Sequence, residues 1–205
     1  MYTILEFSLF WKRDNRERVE MKQKIVEGAL EVYRQKGAKF TMDDLATHLG
    51  MSKKTIYTII PDKRALFTDM VNYTFDAIKK SEEAVMNEAG LSTEEKLRKI
   101  LGVMPDQTAG MDFTQIYSMK DKYPEAYKVI ADRLESGWEL TISLLKQGVE
   151  EGVFRPVNIT IFQMIFESSV ERFLNGSELE TNHIDYMDAL QELVNLMVDG
   201  ITVKS

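Results

Sequence analysis

Apolar residues recur three and four positions apart along most of this chain, and strand-like alternation is absent, so the pattern predicts helices throughout. The four prolines, Pro61, Pro105, Pro124 and Pro156, all fall between periodic runs, where they interrupt no helix interior. A first helix is predicted from about Arg16 or Met21 to Lys36, with Ile25, Ala29, Leu30, Val32 and Tyr33 on one side and Gly37 as its stop. Short helices follow at about 42–48 and 53–59, then a longer one from Asp62 to Ala89. Beyond Gly90 the pattern predicts helices at 93–103 and 112–120 and a long one from Pro124 to Glu151. In that last helix Tyr127, Ile130, Ala131, Leu134, Trp138, Ile142, Leu145 and Val149 form one apolar stripe. Two closing helices, 159–174 and 184–203, flank the polar loop NGSELETN. The fold class is therefore all-α.

The stretch Thr41 to Phe67 carries the most local information. Thr41 and Asp44 have the spacing of a capping box, which starts a short helix with Leu45, Ala46 and Leu49 on its inner face. Gly50 permits a sharp turn, and Ser52 is a second N-cap only a few residues on. The second helix is too short to persist alone and needs a bundle to hold it, with Ile56 and Ile59 or Ile60 pointing inward. Its other face carries Lys53, Lys54, Thr55, Tyr57 and Thr58, cations and hydroxyls without an acid, a set suited to phosphates and base edges.

Length and charge refine the picture. At 205 residues the chain suits a small head on a larger body. The net charge of −7 is uneven: residues 1–70 hold 13 Lys/Arg against 10 Asp/Glu, and residues 71–205 hold 13 against 23. A basic head with an acidic body orients the chain on a polyanion. Without cysteine there is no disulfide framework, thiolate metal site or cysteine nucleophile, a composition that fits a reducing cytoplasm. The apolar start MYTILEFSLFW contains Glu6, is too short to span a bilayer, and has its basic residues after the apolar run, so it reads as neither membrane span nor signal peptide.

On the residues Thr41, Leu45, Ala46, Gly50, Ser52, Lys53, Thr55, Ile56, Tyr57, Lys63 and Leu66, residues 22–70 resemble the signature of the TetR/AcrR family of transcriptional regulators. The resemblance implies an N-terminal three-helix bundle with a helix-turn-helix, residues 21–70, and a larger C-terminal helical ligand-binding and dimerisation domain, residues 71–205. It implies a sequence-specific DNA-binding regulator, most often a dimeric repressor released from its operator by a small, largely apolar ligand. The alternative is a ligand-blind regulator of the same fold whose C-terminal domain binds a protein partner. The implied partners are a pseudo-palindromic double-stranded operator and a second copy joined through the last two helices, whose faces (Ile161, Ile165, Val170; Leu190, Val194, Ile201) are broadly apolar. Base reading falls to Lys53, Lys54, Thr55 and Thr58, and backbone contacts to Thr41, Ser52, Tyr57 and Lys63. For the ligand the candidates are Tyr73, Met104, Met111, Phe113, Tyr117, Trp138, Phe162 and Phe166, with Arg133, Glu167 or Glu171 to set polarity. Three positions depart from the family pattern: Lys54 stands where a small residue is frequent, Ile59 where a polar or aromatic contact is frequent, and Ile60 where Phe is common.

Catalysis is not expected. The two histidines, His48 and His183, lie far apart in sequence without a triad or ligand spacing, and no glycine-rich phosphate loop is present. No cofactor and no metal are implied. Residues 1–20 exceed the family pattern and read either as a flexible arm, with Lys12, Arg13, Arg16 and Arg18 balanced by four acids, or as the product of a start codon set too far upstream. The second reading is preferred, because Arg16 to Glu20 can be encoded by a purine-rich run resembling a ribosome-binding site directly before Met21.

Overall fold

The computed structural model describes the backbone of residues 4–105, 108 and 120–204, with side chains from residue 15 onward in those ranges. Its elements are α1 (Ile4–Lys36), α2 (Met42–Leu49), α3 (Lys53–Ile59), α4 (Lys63–Asn87), α5 (Thr93–Leu101), α6 (Pro124–Glu135), α7 (Glu139–Glu150), α8 (Ile159–Asn175), α9 (Glu178–Thr181) and α10 (Tyr186–Asp199), with a 3₁₀ turn at Gly37–Lys39. Among the described residues the only extended pairing is an isolated antiparallel bridge between Phe154 and Thr202. The helix expected at 112–120 lies outside the described residues apart from its last position.

The head forms because α1 places Ile25, Val26, Ala29, Leu30, Val32 and Tyr33 on one side at helical spacing. Leu45 and Ala46 of α2, Ile56 of α3 and Leu66, Phe67 and Met70 of α4 close around that stripe. The core does not stop at residue 70. Tyr123 and Ala126, at the start of α6, are buried in the same cluster, and the Tyr123 ring stacks on Phe67 at 4.1 Å between centroids. The backbone of α1 is helical from Ile4, well before the start expected from periodicity, and residues 15–20 are exposed.

The expected long helix at 124–151 is two helices. Gly137 adopts φ +80°, a left-handed conformation that an L side chain rarely tolerates, between Ser136 in an extended conformation and Trp138. Its carbonyl accepts from the Lys79 ammonium, and the Trp138 indole N–H donates to the Leu134 carbonyl at 3.1 Å. The single stripe read from the sequence serves two cores. Ile130 packs with Val170, Leu174 and Leu190, whereas Leu144 and Leu145 pack with Leu97, Ile100 and Val194. Continuous spacing conceals the break, since both halves stay apolar toward the centre of the body.

Two smaller differences close the chain. The polar loop between the last two long helices contains α9, anchored by buried Leu179. The segment before α8 is tied to the C-terminus by Arg155 N–H on the Ile201 carbonyl (2.8 Å) and Val203 N–H on the Val153 carbonyl (2.9 Å).

Candidate nucleic-acid interface and body cavity

The two short head helices are built by their caps. Asp44 N–H donates to the Thr41 hydroxyl at 3.1 Å and Thr41 N–H donates to the Asp44 carboxylate at 2.7 Å, the reciprocal pair of a capping box. Lys36 also reaches Asp44 at 2.5 Å, and these donors hold its carboxyl down at about 2, with the Lys36 hydrogen bond the largest cause. Gly50 ends α2 at φ +63°, ψ +32°, and Met51 N–H returns to the Ala46 carbonyl at 2.9 Å. Ser52 then caps α3 through Thr55 N–H at 3.0 Å. Ile56 and Ile60 are fully buried, so the rest of α3 faces outward.

That outward face brings together most of the expected DNA residues. Lys53, Lys54, Thr55, Tyr57 and Thr58 are exposed on one short helix, and Ser52 and Thr41 sit at the two helix starts. Lys53 is held across the turn by Asp43 at 2.9 Å, a bond that pushes its ammonium pKa up. Nothing in the spacing of Asp43 and Lys53 signals that ion pair in advance. The Thr58 hydroxyl donates to the Thr55 carbonyl at 2.6 Å, so only its lone pairs are free for a base edge. Ile59 and Ile60 belong to packing, as their side-chain types suggest.

Lys63 departs from the expected set. Its ammonium does not join the α3 face but turns inward onto the Phe40 carbonyl and, at 3.2 Å, the Ala38 carbonyl. It lies 4.2 Å from the Phe40 ring centroid, 5.3 Å from that of Phe67 and 5.8 Å from that of Tyr123. Burial, with Lys122 nearby, pushes it down to about 8 against the opposing attraction of Asp44. In this arrangement Lys63 ties the head to the start of α6.

The body contains a partly open cavity of about 200 Å³ between α1, α4, α5, α6, α7, α8 and α10. Of the expected ligand residues it is lined by Met104, Trp138 and Phe166, the last two in an edge-to-face pair at 5.5 Å. Tyr73 does not line it: its hydroxyl donates to Glu27 on α1 at 2.6 Å. Phe162 is spent on the core beside Leu144 and Val194. Met111, Phe113 and Tyr117 lie outside the described residues. Of the polarity candidates Arg133 lines the cavity, whereas Glu167 and Glu171 do not and accept from Gln163 and Asn175 on their own helix. Sequence reasoning missed Lys79, Glu82 and Thr141 on the wall; only the break at Gly137, which turns a carbonyl toward Lys79, brings that end together. Burial pushes the Glu82 carboxyl up despite its bond to Lys79 at 2.8 Å. One end of the cavity is formed by Leu30, Tyr33 and Phe67, which are also head core.

Among the described residues no cluster of metal-ligating side chains occurs and no helix is long and apolar enough to cross a membrane. Residues 25–70 match the model of the bacterial regulatory proteins of the tetR family. The uncharacterized HTH-type transcriptional regulator YvaF of Bacillus subtilis (strain 168) is 22% identical over 182 residues, 89% of this chain and 96% of that protein. The TetR-family regulator from Cytophaga hutchinsonii superposes with a TM-score of 0.69 at 21% identity, covering 92% of this chain and 98% of that one. The TetR-family regulator PfmR from Thermus thermophilus superposes with a TM-score of 0.56 at 23% identity, covering 88% and 99%. The cap-turn-cap geometry of α2 and α3 agrees with that match: residues 25–70 are similar to the helix-turn-helix head of the tetR family of bacterial regulatory proteins, and the whole chain shares the helical architecture of the TetR-family structures.

Proposed function

We propose that this regulator is a homodimeric repressor, released from a pseudo-palindromic operator when a small, largely apolar molecule fills the body cavity. The observation that carries the reading is the shared wall: Leu30, Tyr33 and Phe67 belong at once to the cavity lining and to the core that positions α2 and α3. A ligand that prefers one setting of that wall changes DNA affinity by the same factor by which DNA changes ligand affinity. In this reading residues 21–70 are the reading head and 71–205 the effector and dimerisation body, working in the cytoplasm. Lys53, Lys54, Thr55 and the Thr58 lone pairs face base edges, and Thr41, Ser52 and Tyr57 hold the backbone.

Dimerisation is supported by the outer face of α8 and α10. Ile161, Met164 and Ile165 are 55%, 58% and 49% exposed and Leu196 is 66% exposed, on two helices that pack against each other. Exposed apolar side chains on a packed helix pair call for a covering surface, and a second copy supplies the same one by two-fold symmetry. The open cavity favours a ligand-responsive body over one that binds a protein partner instead, since a solid core would suit the latter.

The test is a footprint on the DNA upstream of the chain's own coding sequence, repeated with fractionated cell extract, alongside sedimentation of the free protein. Protection of a symmetric site that an extract fraction relieves is the expected result. Protection that no fraction alters, or a monomer at micromolar concentration, would count against release by ligand or against the dimer respectively.

A further inference from the structure

The charged side chains on the cavity wall are already neutralised by the protein. Lys79 donates to Glu82 at 2.8 Å and to the Gly137 carbonyl. Arg133 donates to Asp76 at 2.9 Å and to the Asn72 amide oxygen at 3.1 Å. A carboxylate entering the cavity meets no free cation and has to break one of these pairs, leaving Glu82 or Asp76 without its partner. Among the described residues an ammonium group fares no better, because both acids are engaged.

Thr141 is different. It lines the cavity from α7, is only 5% exposed, and its hydroxyl has no protein hydrogen-bond partner among the described residues; Thr74, on the same wall, is less buried. A hydroxyl that opens onto the cavity is available to a ligand group that can donate to it or accept from it. Apart from the paired charges, Thr74, Ser136 and two tyrosines, the rest of the described lining is apolar, with Ile100, Leu101, Met104, Leu134, Trp138 and Phe166 among it. A cavity of about 200 Å³ sets the size: since a dry cavity of about 150 Å³ accepts benzene, this one holds about eight heavy atoms.

We propose that the cavity takes an uncharged, mainly apolar molecule of about eight heavy atoms whose single hydroxyl or carbonyl group pairs with Thr141. The inference rests on the reading of the body as a ligand receptor and adds the charge state and the anchoring group.

Trp138 on the cavity wall provides the reporter: the chain has two tryptophans, so Trp11→Phe leaves Trp138 as the only one. Full-length Trp11→Phe protein is titrated with 1-octanol, octanoate and octylammonium, each below its aggregation limit; the three share one chain and differ in head group. Binding is read by Trp138 fluorescence and by melting temperature, and operator affinity is measured in parallel. Octanol is expected to bind at least tenfold tighter than either ion, since each ion must break an internal pair. Thr141→Val, which keeps the shape and removes the hydroxyl, is expected to lower octanol affinity about fivefold, and Thr141→Ser to restore it. Equal or tighter binding of either ion, octanol affinity unchanged by Thr141→Val, or no binding of any probe would overturn the inference. Selective octanol binding that leaves operator affinity unchanged would uphold it and defeat release by ligand.

Discussion

The head and the body of this molecule are both helical, yet they are packed to different standards. In the head Leu45, Ile56, Ile60 and Leu66 are all fully buried, and each short helix is fixed at both ends by a cap, a left-handed glycine or a buried isoleucine. The body surrounds a cavity, breaks its central helix at Gly137 and leaves the Thr141 hydroxyl on the cavity wall without a protein partner among the described residues. A surface that reads a sequence has to hold a few side chains in register, which close packing does. A surface that responds to a small molecule needs room to be filled and a wall whose setting is not already optimal.

Core truncation gives the sharpest break of that comparison. Leu45→Ala removes atoms from a fully buried site and is expected to cost about 3 kcal/mol, lowering the melting temperature by roughly 6–12 °C in a chain of this size. Leu134→Ala, on the partly exposed cavity wall, is expected to cost only about 1 kcal/mol, because the side chain already faces empty space. Calorimetry on both variants measures the difference; equal losses would mean that the body is packed as tightly as the head.

At the DNA face the expected effects are next in size. Lys53→Gln is expected to weaken operator binding about tenfold and to lower the slope of log affinity against log salt by about 1. Asp43→Asn, which frees Lys53 from its ion pair, is expected to shift affinity the other way by a smaller factor. Fluorescence anisotropy across a salt series measures both, and an unchanged slope for Lys53→Gln would remove it from the contact set.

The caps come last. Thr41→Ala is expected to cost about 1 kcal/mol by denaturant melting, since it unmakes one half of the capping box. Asp44 adds a small pH dependence. Its pKa falls on folding from 3.8 to about 2, so its stabilisation is present above pH 4 and is lost as the pH falls from there toward 2. Asp44→Asn is expected to flatten that acid limb in melts recorded between pH 2 and 5, and an identical limb in both proteins would assign the acid sensitivity elsewhere.

What could be read from sequence follows the same division. Caps, turns and the outward face of α3 were legible because each depends on residues within a few positions of one another: Thr41 with Asp44, Gly50, then Ser52 with Thr55. The inward turn of Lys63 was not, since it depends on carbonyls at 38 and 40 and on a ring at 123. In the body, periodicity located the helices but could not separate α6 from α7, as the apolar stripe runs across Gly137 without interruption. Aromatic content pointed to Trp138 and Phe166, and the same criterion chose Tyr73 and Phe162, which pack elsewhere. Lys79, Glu82 and Thr141 carry no local signature; only the assembled wall brings them together.

The stack of Tyr123 on Phe67 bears on how such regulators could be recombined. A head excised at residue 70 would lose the ring and the methyl group that complete its core, and its Lys63 would be left with one aromatic face fewer. Grafting this head onto the body of a relative therefore means carrying the first turn of α6 with it, or finding a recipient with a matching aromatic there. The transplantable module is discontinuous in sequence: the head together with a few residues more than fifty positions downstream of it.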